Sequence, residues 1–341
     1  MQVWHAPLLG RQCVACQPDS LSTRWLKRRK MKFLQVITYA ALYLVSLLPY
    51  KALYVLSDLM YLIIRVARYR IAIVRNNLST SFPEKSQEEL RDIEKGFYRW
   101  LCDYFVETVK LMTVSRKELL RHVEFRNTEE IEASFDRGQT CAGILGHYGN
   151  WELLSATGLM FRRHPEAVVG LIYKPQRNKM FDRLFIKMRQ SMGGVCVPKQ
   201  DILRYLVSFR RQNLMNIFGY IADQAPRYQN IHLWLPFLNH DTPVFTGSER
   251  LMRKMNNTVF YVDVERPSRG KYIYTFKLMT ADPASLPEFE ITRRYFAMLE
   301  ETIRRNPRFY LWSHNRWKRT HDEFDKHFKM ENGHVVEKVK N

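Results

Sequence analysis

The sequence predicts an α/β fold in which a mixed central sheet, flanked by helices, lies behind an amino-terminal hydrophobic membrane anchor. Two observations lead to this prediction. Strand-like apolar segments and helix-like amphipathic segments alternate from Cys141 onwards, and such alternation is typical of a sheet covered by helices. An uncharged run of 18 residues, 33–50, precedes them, and a run of this length is near the lower limit for crossing a bilayer.

The apolar run near the amino terminus has basic residues on both sides, at 27–32 before it and at Arg65, Arg68 and Arg70 after it. A single span would leave one basic cluster outside, against the positive-inside tendency. A hairpin dipping into the membrane, or a helix lying in one leaflet, keeps both clusters on the cytoplasmic face. Pro49 is expected to kink or end the helix. We therefore predict a membrane-anchoring segment over 31–75, with a pair of buried core helices as the alternative.

Composition gives the other boundaries. Residues 1–30 are polar, basic and aperiodic, so we interpret them as a disordered or mis-called extension. Its C-x-x-C, Cys13 and Cys16, lacks the second ligand pair that a structural zinc needs. Residues 76–320 contain no linker rich in Pro, Gly or Ser, which predicts one catalytic domain, followed by a basic tail at 321–341.

The pattern of elements starts with the capping box Ser86-x-x-Glu89, which opens an amphipathic helix over 86–112. Ser115-x-x-Glu118 repeats this signature for a short helix. The later candidate strands are 141–145, 167–173, 214–222, 258–265, 272–279 and 309–312. The later candidate helices are 151–162, 177–192, 200–212, 248–255 and 289–305. Within the stretch 258–279, the strands 258–265 and 272–279 are predicted to pair antiparallel.

The chain is strongly basic, with 54 Lys and Arg against 34 Asp and Glu and a net charge of +20. A charge of this sign implies an anionic partner, which is a nucleic acid, an acidic lipid surface or an acidic protein. No nucleic-acid-binding motif accompanies the charge, so we predict no nucleic-acid partner. Five scattered cysteines do not form the disulfide framework of a small secreted protein and favour a reducing compartment.

Common catalytic motifs are missing from the sequence. It has no G-x-S-x-G elbow, no H-E-x-x-H, no G-x-x-x-x-G-K-[ST] and no G-x-G-x-x-G after a strand. These absences disfavour ordinary serine hydrolases and metal- or nucleotide-dependent enzymes. We predict no cofactor and no metal.

The segment Gly146-His147-Tyr148-Gly149-Asn150-Trp151-Glu152 directly follows the apolar strand 141–145. With His147 on a loop and Glu152 in the first turn of the next helix, the chain can fold back so that the two touch. The carboxylate would then fix the imidazole tautomer and leave the other nitrogen as a base, suited to a hydroxyl that attacks an activated acyl group. The alternative is a structural histidine, with Asn150 as N-cap and Glu152 stabilising the helix start.

This segment closely resembles the first motif of the lauroyl/myristoyl transferases, which add late acyl chains to lipid A. Further likeness is found at Tyr173-Lys174-Pro175, where Lys replaces the usual Arg, at Arg189 before Gly193-Gly194, at Ala222-Asp223-Gln224, at Phe245-Thr246-Gly247 and at 310–318. The resemblance covers residues 33–320. An ordered set of motifs is far more specific than any single one.

The resemblance implies a glycerolipid acyltransferase-like fold with His147 and Glu152 as catalytic residues. It implies transfer of a fatty acyl group from acyl carrier protein to a hydroxyl of a lipid A precursor, without cofactor. The expected location is the bacterial inner membrane, with the catalytic domain on its cytoplasmic face. An acidic carrier, a phosphorylated acceptor and an anionic membrane surface all match the positive charge of the chain.

Six further residues are candidates for substrate binding: Tyr148, Asn150, Lys174, Arg189, Asp223 and Gln224. Arg189 and Lys174 offer positive charge to an oxyanion or to an acceptor phosphate. Asp223 and Gln224 follow a predicted strand end, where polar groups often meet ligands. Surface charge and turn capping are the alternatives for these four.

Other interpretations stay open. The same chemistry serves another glycolipid, an aminolipid or a lysophospholipid as acceptor. A catalytically dead membrane scaffold is a third class, disfavoured by the presence of both His147 and Glu152. Four aromatic residues either line an acyl slot or belong to the core: Trp100, Tyr104, Phe105 and Trp151.

Overall fold

A computed structural model of the chain describes residues 21–338 apart from Arg177 and Asn332, with side chains from Leu34 onwards. The predicted extension up to residue 20, with its C-x-x-C, lies outside the described residues. The chain divides into two units, residues 1–42 and 43–341. The second unit contains the sheet and every candidate site residue.

Three helices form the region predicted as an anchor: α1 (Leu21–Leu47), α2 (Tyr50–Val66) and α3 (Ile71–Ser81). Pro49 separates the first two and is the N-cap of α2, as predicted. In the part of the chain that the structure describes, no helix has both the length and the apolar character needed to cross a membrane. Helix α2 buries only Leu53 and Ser57, so it is not the buried core helix of the alternative interpretation.

Helix α4 (Gln87–Lys110) packs against α2 and starts where the sequence predicts. The Ser86 side chain accepts from the Glu89 backbone N–H, and the Glu89 carboxylate accepts from the Ser86 N–H, so the predicted capping box is present. Much of the predicted apolar face is buried, including Phe97 and Trp100. Phe105 is 47% exposed, so it is not a core residue.

The core is a seven-stranded mixed sheet in the order β1-β9-β8-β2-β5-β3-β4. All neighbours run parallel except β8 and β9, which pair antiparallel as predicted. The central strand β2 is buried at every position, as expected for a parallel strand covered on both faces. The strands are β1 (Val123–Arg126), β2 (Cys141–Leu145), β3 (Val168–Tyr173), β4 (Val195–Pro198), β5 (Asn216–Ile221), β8 (Thr258–Ser268) and β9 (Lys271–Thr280).

Helices and two small hairpins surround this sheet, so the predicted α/β class with a mixed central sheet is confirmed. The helices are α5 (Arg116–Leu119), α6 (Thr128–Asp136), α7 (Lys179–Gln190), α8 (Ile202–Arg211), α9 (Gly247–Met255), α10 (Glu290–Arg305) and α11 (His321–His327). The hairpins pair β6 (Trp234–Phe237) with β7 (His240–Pro243) and β10 (Phe328–Glu331) with β11 (His334–Glu337).

Two predicted elements differ from the structure. Residues 151–160, predicted as an α-helix, form a 3-10 helix, named here the 3-10 segment. The predicted strand 309–312 is wrong: a short 3-10 helix (Pro307–Phe309) is followed by a single bridge from Tyr310 to Tyr148. Backbone bonds from Gly149 to Phe309 and from Leu311 to His147 hold this stretch against the candidate loop instead of a sheet edge.

Candidate active site

The site lies where two adjacent parallel strands end. Strands β2 and β5 pair in register, with Leu145 opposite Ile221. His147 and Asp223 each follow two residues after that last pair. Because the carboxyl ends of parallel strands meet at one edge of the sheet, these two side chains are brought together from positions 76 residues apart.

His147 contacts the carboxylate of Asp223 at two points, once through its imidazole and once through its backbone N–H. Nδ1 of His147 lies 2.6 Å from Oδ1 of Asp223, and the His147 backbone N–H donates to Oδ2 at 3.0 Å. Nε2 lies 3.3 Å from the side-chain nitrogen of Gln224. A proton on Nδ1 satisfies the carboxylate and leaves Nε2 as an acceptor for the Gln224 amide. The His147 side chain is 17% exposed, so its ring is reachable, and Trp151 packs edge-on to it.

Asp223 is an ionised group inside the protein. Burial by itself would raise its pKa, but the charge and hydrogen bonds of His147 outweigh burial, and its pKa is lowered. Burial together with the negative charge of Asp223 raises the pKa of Tyr310 well above its ordinary value, so this phenol stays neutral. Asp223 is therefore an anion that balances positive charge on His147.

The loop that carries His147 is tightly fixed. Gly149 has φ +61°, and a Cβ there would lie 2.7 Å from a Val264 methyl, so only glycine fits. The Tyr148 hydroxyl donates to the Asn306 carbonyl at 3.0 Å, and the Tyr148 side chain is buried. Tyr148, predicted to bind substrate, is thus engaged within the protein.

Asn150 has the N-cap place that the sequence predicts, because its side-chain oxygen accepts from the Glu152 N–H. The side-chain amide of Asn150 donates to the Glu107 carboxylate at 2.9 Å. Its backbone carbonyl accepts from the Tyr274 hydroxyl at 2.6 Å. The residue is fully buried. Asn150 therefore holds the loop in shape, and its side chain is not presented to a substrate.

The expected contact between Glu152 and His147 is wrong. Both Glu152 oxygens bind the guanidinium of Arg189, with two N···O distances of 2.6 Å. The Trp151 indole N–H donates to the same carboxylate at 3.2 Å. This bidentate geometry is the strongest that Arg and a carboxylate form, and it explains why Glu152 turns towards helix α7 and leaves the imidazole to Asp223. Burial opposes the charge of Arg189, but its bonds to Glu152 raise its pKa overall.

The remaining predicted residues divide by exposure. Gln224 is half-buried beside Nε2 of His147. Lys174 is exposed at the end of β3, whereas the charge of Arg189 is compensated by Glu152. Within the described residues, no group of three His, Cys, Asp or Glu side chains could hold a metal ion.

Two residues interact electrostatically with Asp223 and were not among the individual site residues predicted from the sequence. Arg316 is 1% exposed, and only its Nη2 has a partner, the Pro243 carbonyl, while Nε and Nη1 have none. Burial lowers the pKa of His314 to about 4, so that ring is neutral at pH 7. Both lie in the 310–318 motif. The polar residues of that motif were the feature of the sequence that could have identified them. The positive charge of the buried Arg316 also helps to lower the pKa of Asp223.

Comparison with known proteins identifies the family of the chain. The family described as bacterial lipid A biosynthesis acyltransferase matches residues 22–319. A protein of Haemophilus influenzae named lipid A biosynthesis acyltransferase is 22% identical over 265 residues, which are 76% of this chain and 81% of that protein. Because the family match extends over most of the sequence, this acyltransferase belongs to the bacterial lipid A biosynthesis acyltransferase family.

Proposed function

We propose that this acyltransferase moves a fatty acyl chain from acyl carrier protein to a hydroxyl of a lipid A precursor, with His147 as general base. The observation that supports this proposal is the His147–Asp223 contact. Nδ1 is bound to a buried anion, and Nε2, contacted by the Gln224 amide, carries the lone pair that can accept a proton in a side chain that is 17% exposed. That arrangement suits deprotonation of an incoming alcohol.

The proposed reaction needs no nucleophile from the protein. Nε2 of His147 takes the proton of the acceptor hydroxyl while the oxygen attacks the thioester carbonyl. The tetrahedral intermediate then collapses, the carbon–sulfur bond breaks, and the carrier thiolate takes the proton back from the imidazolium. Asp223 stabilises the imidazolium and fixes its orientation. Gln224, beside Nε2, is placed to contact the acceptor hydroxyl.

Glu152 and Arg189 have a positioning role in this proposal. Their ion pair joins the first turn of the 3-10 segment to helix α7, so it holds Trp151 against the imidazole. The Arg189 side chain is 21% exposed, and Lys174 is exposed. We assign contacts with an acceptor phosphate to Lys174 first, because its charge has no carboxylate neighbour among the described ion pairs.

We further propose that the enzyme works at an anionic membrane surface, the bacterial inner membrane with the catalytic domain on its cytoplasmic face. Helix α2 exposes five apolar side chains on one face: Val55, Leu59, Leu62, Ile63 and Val66. Three exposed arginines, called here the basic border, lie in the last turn of α2 and just after its end: Arg65, Arg68 and Arg70. An apolar face with a basic border is typical of helices that lie in the interface of anionic membranes.

The direct test is acyl transfer by the purified, reconstituted His147→Ala variant. We expect turnover per folded enzyme to fall by about 10²–10⁴-fold, which is the usual contribution of a general base, and the melting temperature of the variant serves to establish that it is folded. His164→Ala is the matched control, because His164 forms a similar pair with Asp136 at the surface, 2.8 Å from Nε2 to Oδ1. Normal transfer by His147→Ala, or an equal loss in both variants, would refute the assignment.

The second candidate function keeps the reaction and changes the acceptor to another glycolipid, an aminolipid or a lysophospholipid. Mass spectrometry of lipids from a deletion strain separates the two. Loss of one acyl chain from lipid A supports the first function. Unchanged lipid A together with a change in another lipid class supports the second.

A further inference from the structure

Two glycines lie side by side in the middle of the central sheet. Gly143 of β2 pairs with Gly219 of β5 in the parallel register, and Gly219 also pairs with Leu171 of β3. Glycine weakens the interior of a strand because it costs entropy and packs no side chain. A glycine inside a strand often marks a place where a ligand or another part of the chain approaches the sheet closely.

The space above Gly219 is not filled, whereas the space above Gly143 is. A Cβ at Gly219 would meet only the Gly170 carbonyl oxygen, at 3.9 Å, whereas a Cβ at Gly143 would lie 3.1 Å from a Val262 methyl. Side chains therefore cover the sheet at Gly143 and leave it uncovered at Gly219. Any side chain at position 219 would project into this opening.

The opening is a cavity of about 30 Å³ lined by apolar groups. Its side chains are aliphatic or aromatic apart from Thr157, whose hydroxyl donates to the Leu154 carbonyl at 2.8 Å. The volume exceeds what one water needs, but a water requires polar partners, and apolar cavities stay dry and take up apolar ligands. The cavity therefore suits part of a hydrocarbon chain.

Two residues that line the cavity are close in the chain to the candidate active site. Leu145 and Leu154, which line it, are each two residues from His147 and Glu152 respectively. Gly219 precedes Asp223 by four residues, which is roughly 13 Å along the chain at the rise of a β-strand. An acyl chain bound at His147 and running along β2 and β5 would therefore need to extend about this far to reach Gly219.

The 3-10 segment forms the roof of this cavity through Leu154 and Thr157. A 3-10 helix of ten residues is uncommon, because its hydrogen bonds are poorer than those of an α-helix. The Ser155 and Thr157 hydroxyls bond to carbonyls three residues back, which competes with regular helical bonding.

We propose that this cavity receives the far end of the transferred acyl chain and that Gly219 sets the chain length the enzyme accepts. The assignment rests on the proposed acyl transfer and adds the specificity determinant to it. A side chain at position 219 fills the end of the cavity, so the longest donors no longer fit while shorter donors do.

The test uses the full-length enzyme with an equimolar mixture of acyl carrier protein thioesters of graded chain length and a lipid A precursor. Products of Gly219→Ala, Gly219→Leu and wild type are compared by mass spectrometry, with melting temperatures as the check on folding. Gly247→Leu is the matched control, because a Cβ at Gly247, at the start of α9, meets nothing within 4 Å.

We expect the ratio of long-chain to short-chain product to fall at least tenfold in Gly219→Leu and by a smaller factor in Gly219→Ala. Transfer of the shortest accepted chain should stay within about twofold of wild type, and Gly247→Leu should keep the wild-type ratio. An unchanged ratio in folded Gly219 variants, or an equal loss for every length, would overturn the role of Gly219. Wild-type enzyme that transfers no chain at all would instead overturn the proposed function, and this assignment with it.

Discussion

Asp223 and Glu152 are two buried carboxylates on either side of the His147 loop, and their partners assign them different tasks. Asp223 binds the imidazole Nδ1, whereas Glu152 binds Arg189 at both oxygens. Asp223→Asn removes the anion and allows the wrong imidazole tautomer, so we expect kcat to fall by roughly 10²–10⁴-fold. Steady-state acyl transfer measures this, and a kcat within tenfold of wild type would contradict the assignment.

For Glu152→Gln we expect the main effect on stability, whereas for Asp223→Asn we expect it on catalysis. It leaves the Arg189 guanidinium, 21% exposed, without its counter-charge, and breaking such a pair costs about 3–5 kcal/mol when it is fully buried. We expect the free energy of unfolding to fall by about 2–4 kcal/mol, with a smaller loss of kcat in the folded fraction than Asp223→Asn causes. Urea unfolding and active-site-normalised turnover measure the two effects.

The double variant Glu152→Gln with Arg189→Met is the control for that prediction. If the single variant is destabilised by the unpaired guanidinium, removing the guanidinium should restore part of the free energy of unfolding. A double variant whose loss equals the sum of the two single losses would show that the ion pair carries no coupling.

At the level of elements, strand β2 and the loop after it were predictable because a fully apolar run ending in Gly146 has few interpretations. The partner of His147 was not, since Asp223 is distant in sequence and becomes a neighbour only through the β2–β5 pairing. The short spacing in the sequence favoured Glu152 as the partner of His147. A carboxylate near a histidine can, however, form an ion pair with another cation instead. Arg189 reaches it from α7, a contact that sequence periodicity does not encode.

Asp263 of β8 contacts α10 through its carboxylate, and this contact makes the stability of the fold depend on pH. Burial alone would raise the pKa of Asp263, but hydrogen bonds from Arg305, Lys277 and Thr302 lower it to about 2. A depressed carboxylate pKa stabilises the fold above the unfolded pKa, and this stability is lost as the pH falls from about 4 towards 2. We expect Asp263→Asn to cost about 1–2 kcal/mol at pH 7, after allowance for solvent screening, and much less near pH 2.

Urea unfolding of both proteins at several pH values tests this expectation. Asp92→Asn is the matched control, because Asp92 pairs with Arg308 while 58% exposed, and exposed ion pairs contribute about 0–1 kcal/mol. The same cost for Asp263→Asn at pH 2 and pH 7 would show that Asp263 acts through packing and not through its charge.

At the scale of the whole molecule, the net charge of +20 and the apolar face of α2 act on the same partner in our proposal. Leu59 and Leu62 are 55% and 59% exposed, and burying such a side chain in an apolar phase is worth about 1.5–3 kcal/mol. Leu59→Glu with Leu62→Glu should therefore lower the partition coefficient onto vesicles of anionic lipid by more than tenfold. Sedimentation with vesicles of graded anionic content measures this coefficient.

The basic border predicts a second dependence, on salt. Attraction to an anionic surface weakens as the Debye length shortens, from about 10 Å at 0.1 M ionic strength to about 3 Å at 1 M, so binding of the wild type should weaken between these concentrations. Leu278→Glu, a change at a 51% exposed leucine on β9, controls for added negative charge away from α2. If that variant loses binding as much as the α2 variant does, the interaction is set by net charge alone, and the α2 face has no role as the membrane contact.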